Sequence, residues 1–242
     1  MTTILGVREV SKYFGGLRAL NNVSLEVRQK ELLGLIGPNG AGKTTLFNLI
    51  CGDYKPTSGV IQFNGEDITK LKPYEIFRKG IARTYQLIKP FLNLTVSQNV
   101  MFGMMFGRTR YDRKVAVEEA EKVLELIGLL AKREVLVKSL SILDRKKVEL
   151  ARALATAPKL LLLDEPLAGL NPKEVEEFMG IIELVRRNGM TIFMIEHVLK
   201  TLMNHADRII VLHHGEKIAE GSPSEVTNDR RVIEAYIGAP VC

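Results

Sequence analysis

The spacing of apolar residues changes along this chain, and the changes predict its elements. Over the first sixty or so residues, short β-like runs at Ile4 to Val10, Val23 to Val27, Leu32 to Ile36 and Val60 to Phe63 alternate with turn signals. Asn64-Gly65 after the last run is a tight-turn pair, so part of this region is expected to be antiparallel. From Thr95 the period lengthens. Val96, Val100, Met104 and Gly107 fall on one helical face, and a second helix is expected from about Val115 to Gly128. Leu160 to Leu163 next to Asp164 reads as a buried strand of a parallel sheet. Asn171 as N-cap, Pro172, Glu174, an apolar face of Val175, Phe178, Met179 and Ile182, and Gly189 as the stop mark another helix. Ile192 to Ile195 and Ile209 to Leu212 read as two more strands with a helix between them. The expected organisation is a nucleotide-binding α/β core over 1–92 and 149–242, interrupted by a helical subdomain over 93–148.

Composition narrows the class. A chain of 242 residues, 46% hydrophobic and 26% charged, can bury a real core, which excludes general disorder. No apolar run approaches the ~20 residues needed to span a bilayer, and the start of the chain lacks a signal-peptide layout, so a cytoplasmic location is expected. Cys51 and Cys242 suggest neither a disulfide framework nor a metal knuckle. The net charge of +6 is spread along the chain apart from Arg145-Lys146-Lys147, which reads as a solvated helix face. No nucleic-acid-binding pattern is present, and no nucleic-acid partner is expected. His197, His205, His213 and His214 do not fall at metal-binding spacings.

The strongest chemical signal is Gly37-Pro38-Asn39-Gly40-Ala41-Gly42-Lys43-Thr44-Thr45, placed between an apolar run and the helix-like segment Leu46 to Ile50. In the pattern G-x-x-x-x-G-K-T, glycine dihedrals turn backbone N–H groups inward, and the following helix points its positive end at the same phosphates. Lys43 then reaches the β- and γ-phosphates, and the Thr44 hydroxyl becomes a Mg²⁺ ligand. Asp164 and Glu165 end an apolar strand, where Asp164 can hold Mg²⁺ through water and Glu165 can polarise the attacking water. His197 follows a strand and is expected at the carboxyl edge of the sheet, near a γ-phosphate. The amide of Gln86 could touch Mg²⁺ and the attacking water.

The order of these parts resembles the ATP-binding cassette family over essentially the whole chain. In that resemblance Gly37 to Thr45 match the Walker A motif, Gln86 the Q-loop, Leu161 to Glu165 the Walker B motif with its catalytic glutamate, Ala168 to Asn171 the D-loop, and His197 the switch histidine. Phe14 matches the aromatic that stacks on adenine, with Tyr13 a neighbouring alternative. The segments Gly80 to Gln86, Ala168 to Pro172, Ile195 to His197 and Val232 to Gly238 look like the ATPase subunits of branched-chain amino acid importers. The resemblance implies an α/β fold, with a P-loop NTPase (RecA-like) core, an N-terminal antiparallel β region and an inserted α-helical subdomain. It also implies ATP and Mg²⁺ as cofactors, a second ATPase subunit as homo- or heterodimer partner, transmembrane permease subunits, and a place on the inner face of the cell membrane. Two rival functions remain: a low-turnover regulatory nucleotide-binding module, and the ATPase of a lipid or lipopolysaccharide exporter.

The chain departs from the family at its signature. Leu-Ser-Gly-Gly-Gln is expected at Leu140-Ser141-Ile142-Leu143-Asp144, where Leu140 and Ser141 are kept and the glycines and glutamine are lost. In the family this segment acts in trans, on the γ-phosphate held by the other subunit. Leu143 crowds that approach. The Asp144 charge, at about 6 Å and an effective dielectric of about 20, opposes a phosphate charge by on the order of 3 kcal/mol. Ser141-x-x-Asp144 nevertheless starts a helix well, in the manner of a capping box. The expectation is an asymmetric pair whose other member carries an intact signature. Met101, Phe102, Met104, Met105 and Phe106 form an adaptable apolar cluster that can belong to the core or meet the membrane subunits.

Overall fold

The computed structural model describes residues 2–84, 90–109, 111–196 and 199–237. In chain order, β1 is Thr3–Phe14, β2 Leu17–Arg28, β3 Leu32–Ile36, α1 Lys43–Ile50, β4 Ser58–Phe63 and β5 Glu66–Asp67. There follow α2 Pro73–Lys79, β6 Ile81–Thr84, α3 Val96–Phe106, α4 Arg113–Leu126, α5 Ile142–Ala155, β7 Leu160–Asp164 and α6 Pro172–Arg187. The chain closes with β8 Thr191–Ile195, α7 Leu199–His205, β9 Arg208–His213, β10 Glu216–Gly221, α8 Pro223–Asn228 and α9 Arg230–Ile237. Two compact units result, one of residues 1–76 and 190–242, the other of residues 77–189.

In the first unit β1 pairs antiparallel with β2 and with β4, with Val7 opposite Leu25 and Ile61. Leu5, Val7, Val10, Leu20, Val23, Leu25, Ile61 and Phe63 are buried, so the alternation visible in the sequence is the inward face of this sheet. Asn64 and Gly65 join β4 to β5 with φ of +50° and +79°, the two left-handed residues that an Asn-Gly hairpin turn uses. The same unit holds a parallel set. β3 pairs with β8 on one side, Leu35 opposite Ile195, and with β9 on the other, Leu35 opposite Ile210. Every residue of β3 and β8 is buried, which is why both read as unbroken apolar runs rather than alternations.

In the second unit β6 and β7 run parallel, Ala82 opposite Leu161. Three helices, α3, α4 and α5, bury Val96, Val100, Met104, Ala116, Ala120, Leu124, Val148 and Ala151 in one core. α3 and α5 meet at Gly103, where a Cβ would lie 2.6 Å from the Arg152 carbonyl oxygen, so only glycine permits this approach. α6 starts as the sequence predicts: the Asn171 side chain accepts from the Glu174 N–H, the Glu174 carboxylate accepts from the Asn171 N–H, and Phe178, Met179 and Ile182 are buried. No helix among the described residues is long and apolar enough to cross a membrane.

Candidate functional site

The phosphate-loop candidate lies in the first unit, on the turn from β3 to α1. Gly37 has φ +152°, and a Cβ there would sit 2.1 Å from the Leu212 carbonyl oxygen. Gly42 has φ +101°, and its Cβ would sit 2.6 Å from the Ala19 carbonyl oxygen. Both glycines are therefore required by backbone neighbours as well as by their dihedrals. The loop is tied in place by Ala41 N–H to Pro38 at 3.1 Å and by Gly215 N–H to Ala41 at 3.1 Å. Gly42 is the N-cap of α1, with no side chain capping the helix and no acid in its first turn. With no side-chain cap and no acid in that turn, the positive end of the α1 dipole favours an anion.

Lys43 is buried, and its ammonium donates to the carbonyl of Gly37 at 2.6 Å and of Pro38 at 3.1 Å. The cation is held over the loop it belongs to. Asn39, Gly40 and Thr44 are exposed, so the Thr44 hydroxyl is open to a ligand, while Ala41 is buried and Thr45 half-buried. On α9, burial pushes the Tyr236 phenol up, and the nearby Gly37 backbone works against that rise. Phe14, at the end of β1, is exposed and meets the Tyr54 ring edge-on, with centroids 5.2 Å apart. Tyr13 is equally exposed.

The acidic pair lies in the second unit. Asp164 ends β7, and its Oδ2 accepts from the Arg83 guanidinium on β6 at 2.6 Å, with both side chains almost wholly buried. Its other oxygen, Oδ1, is buried and has no hydrogen-bond partner among the described residues. A buried carboxylate oxygen without a donor is costly, and a hydrated divalent cation is the chemistry that satisfies it, so this residue fits Mg²⁺. Glu165 is buried and adopts φ +51°, a left-handed conformation for a non-glycine residue directly before Pro166. Such a backbone costs on the order of 1–3 kcal/mol and occurs mainly at working sites.

The altered signature is also in this unit. Leu140 is buried in the helical core, and Ser141 is the N-cap of α5, its hydroxyl accepting from the Asp144 N–H at 3.1 Å. The reciprocal half of the expected capping box is missing. The Asp144 carboxylate turns instead to the Lys132 ammonium at 2.5 Å, which offsets part of its charge. Ile142 is exposed and Leu143 buried, so a side chain stands at each of the two positions where the family has glycine.

The expected sites on Gln86 and His197 lie outside the described residues. The Met and Phe cluster divides: Met104 is core, whereas Phe102 and Phe106 are exposed and stacked at 5.9 Å, with Phe91 5.1 Å from Phe102. Sequence reasoning did not find Arg83, Lys132, Lys12, Tyr54 or Tyr236. Arg83 and Tyr54 have partners far away in the chain, Lys132 meets Asp144 across an intervening turn, and Lys12 lies over Phe14 only two residues on, a contact that no periodic pattern announces.

Two family models match the chain: an ABC transporter model over residues 20–168, and a branched-chain amino acid ATP-binding cassette transporter model over residues 216–241. The chain is 41% identical to the high-affinity branched-chain amino acid transport ATP-binding protein LivG of Salmonella typhimurium, covering 97% of this chain and 98% of that protein. Among solved structures it resembles the ADP conformation of MJ1267, an ATP-binding cassette of an ABC transporter, with a TM-score of 0.90, 34% identity, and 99% and 100% of the two chains covered. A dimeric post-hydrolysis structure of the ATP-binding cassette MJ0796, bound to ADP and Pi, matches with a TM-score of 0.80 and 26% identity, covering 91% of this chain and 99% of that one.

Proposed function

The chain belongs to the ABC transporter family, as an ATPase with the P-loop NTPase fold, and we propose that it powers the import of branched-chain amino acids or similar small solutes. The observation that carries this reading is the loop from Gly37 to Thr45, built where no side chain fits at Gly37 or Gly42 and armed with the buried cation of Lys43. The reaction is phosphoryl transfer to water: a water oxygen bonds to the γ-phosphorus, the bridging P–O bond to ADP breaks, and a proton of the water is released. Amides of the 37–45 loop and Lys43 bind and neutralise phosphate oxygens. Glu165 accepts the proton and orients the water; Gln86 and His197 complete the set, His197 against the γ-phosphate. Thr44, Asp164 and Gln86 are the residues that would hold Mg²⁺, which supplies charge neutralisation at the phosphates. Phe14 stacks on the base.

The altered signature supports a heterodimer. Ile142, Leu143 and the ion-paired Asp144 fill the start of α5, so this chain receives an intact signature from a different subunit and offers a weak one in return. The site completed by Leu140, Ser141 and Asp144 is then slow or silent, and one of the two nucleotides does most of the work. The exposed row of Phe91, Phe102 and Phe106, with the Arg152 guanidinium 4.7 Å from the Phe91 ring centroid, supports docking of permease segments, which would hold the chain on the inner face of the membrane.

The test is reconstitution of the chain with its co-purifying permease subunits and partner ATPase in proteoliposomes. ATP-dependent uptake of radiolabelled leucine, isoleucine or valine is the expected result. ATP-dependent extraction of lipid, or ATP binding without turnover in the full complex, would contradict it.

A further inference from the structure

The phosphate loop grips the part of a nucleotide common to all triphosphates, and the base needs a surface of its own. Phe14 is 40% exposed at the end of β1, and an isolated ring in that position is free to change rotamer. Its neighbours Tyr54 and Lys12 restrict that freedom. The Tyr54 ring meets Phe14 at 76° with centroids 5.2 Å apart, an edge-to-face pair. The Lys12 ammonium lies over the Phe14 ring 4.9 Å from its centroid and 5.8 Å from that of Tyr54. The same ammonium is anchored by donating to the Lys55 carbonyl at 2.8 Å.

The backbone joins this cluster to the phosphate loop. The Tyr54 N–H donates to the Asn48 carbonyl of α1 at 3.1 Å, the Thr57 N–H donates to the Ser11 carbonyl of β1 at 2.8 Å, and the Tyr13 N–H donates to the Thr57 hydroxyl at 3.1 Å. The segment that leaves α1 is thus stitched to the end of β1, which fixes the distance from the loop to the aromatic ring.

We propose that Tyr54 and Lys12 are positioning residues for the nucleotide base. Resting on the nucleotide reading of the 37–45 loop, the inference adds what orients Phe14. Lys12 lies over the Phe14 ring and Tyr54 braces it against rotation, while the exposed part of the ring is offered to a planar heterocycle. Tyr54 itself is 41% exposed, so truncating it removes an orienting contact and little of the core.

The test compares two probes on the full-length chain by calorimetry in magnesium buffer: ATP, which has a base, and inorganic tripolyphosphate, which has none. Tyr54→Ala and Tyr54→Leu are expected to weaken ATP by about five-fold while changing tripolyphosphate by less than about two-fold. Tyr54→Phe keeps the ring edge and is expected to restore ATP affinity; Lys12→Met is expected to weaken ATP alone by about two- to three-fold. Unchanged ATP affinity in Tyr54→Ala and Tyr54→Leu would overturn the proposal. So would equal loss of both probes, which would assign Tyr54 to the support of α1. A wild-type chain that binds neither probe would overturn the nucleotide reading instead.

Discussion

A Cβ on Gly37 would lie 2.1 Å from the Leu212 carbonyl oxygen, closer than any real side-chain carbon approaches such an atom. Gly40, three residues on, has φ +80° and open space around it. The two glycines therefore separate the reasons for which a phosphate loop needs glycine. Gly37→Ala carries both strain and a backbone clash, and is expected to destabilise the chain by about 2–4 kcal/mol. Gly40→Ala carries only the left-handed dihedral, about 1–2 kcal/mol. Urea unfolding of the two variants beside wild type measures the difference; equal losses would mean that Leu212 gives way at no cost.

The Asp144–Lys132 ion pair makes the altered signature testable in both directions. Restoring Leu143→Gly with Asp144→Gln removes the side chain and the charge that oppose a phosphate. The double variant, with Ile142→Gly added to complete the signature, is expected to raise the ATPase rate of the chain on its own by about ten-fold or more, since self-pairing then presents a competent signature. Asp144→Gln alone frees Lys132 and is expected to give a smaller rise. Vigorous, cooperative hydrolysis by the unaltered isolated chain would contradict the asymmetric pair.

Glu183 offers a pH test away from the site. Its carboxylate accepts from Arg186 and from Arg187, each at 2.9 Å, and chiefly the Arg186 bond holds it down from 4.5 to about 2. A depressed carboxylate stabilises the folded chain fully above its unfolded value near 4.5, and the contribution is lost as pH falls toward about 2. Between pH 5 and pH 3 wild type is expected to lose more stability than Glu183→Gln, read as a steeper fall in melting temperature. Parallel curves would show that the arginines do not hold this group.

The phosphate loop was legible in the sequence because its chemistry demands glycine at positions that backbone neighbours then enforce. The parallel strands were legible as well, since burial on both faces leaves continuous apolar runs such as Leu160 to Leu163. The first two strands are longer than their apolar runs predict. They run over Thr3–Phe14 and Leu17–Arg28, and the left-handed residues Glu9 and Asn22, beside register shifts, interrupt the alternation just where the expected runs stop and start. The Met and Phe cluster could not be resolved by spacing alone. Met104 follows Val96 and Val100 into the core, while Phe102 and Phe106, also four apart, share another face that is exposed. Arg83 and Asp164 are 81 residues apart, and Lys132 and Asp144 lie on different elements, so tertiary pairing alone brings these charges together.

Glu165 is a buried acid in a left-handed conformation, at the end of a strand whose last side chain has an acceptor oxygen with no partner among the described residues. The most direct measurement is the rate of ATP hydrolysis by the chain assembled with its partner ATPase, wild type against Glu165→Gln, with ATP affinity measured on the same samples. Loss of Glu165 as the proposed general base is expected to slow hydrolysis by about a hundred-fold or more, with ATP affinity within a few-fold of wild type. Hydrolysis by Glu165→Gln at the wild-type rate would contradict the account.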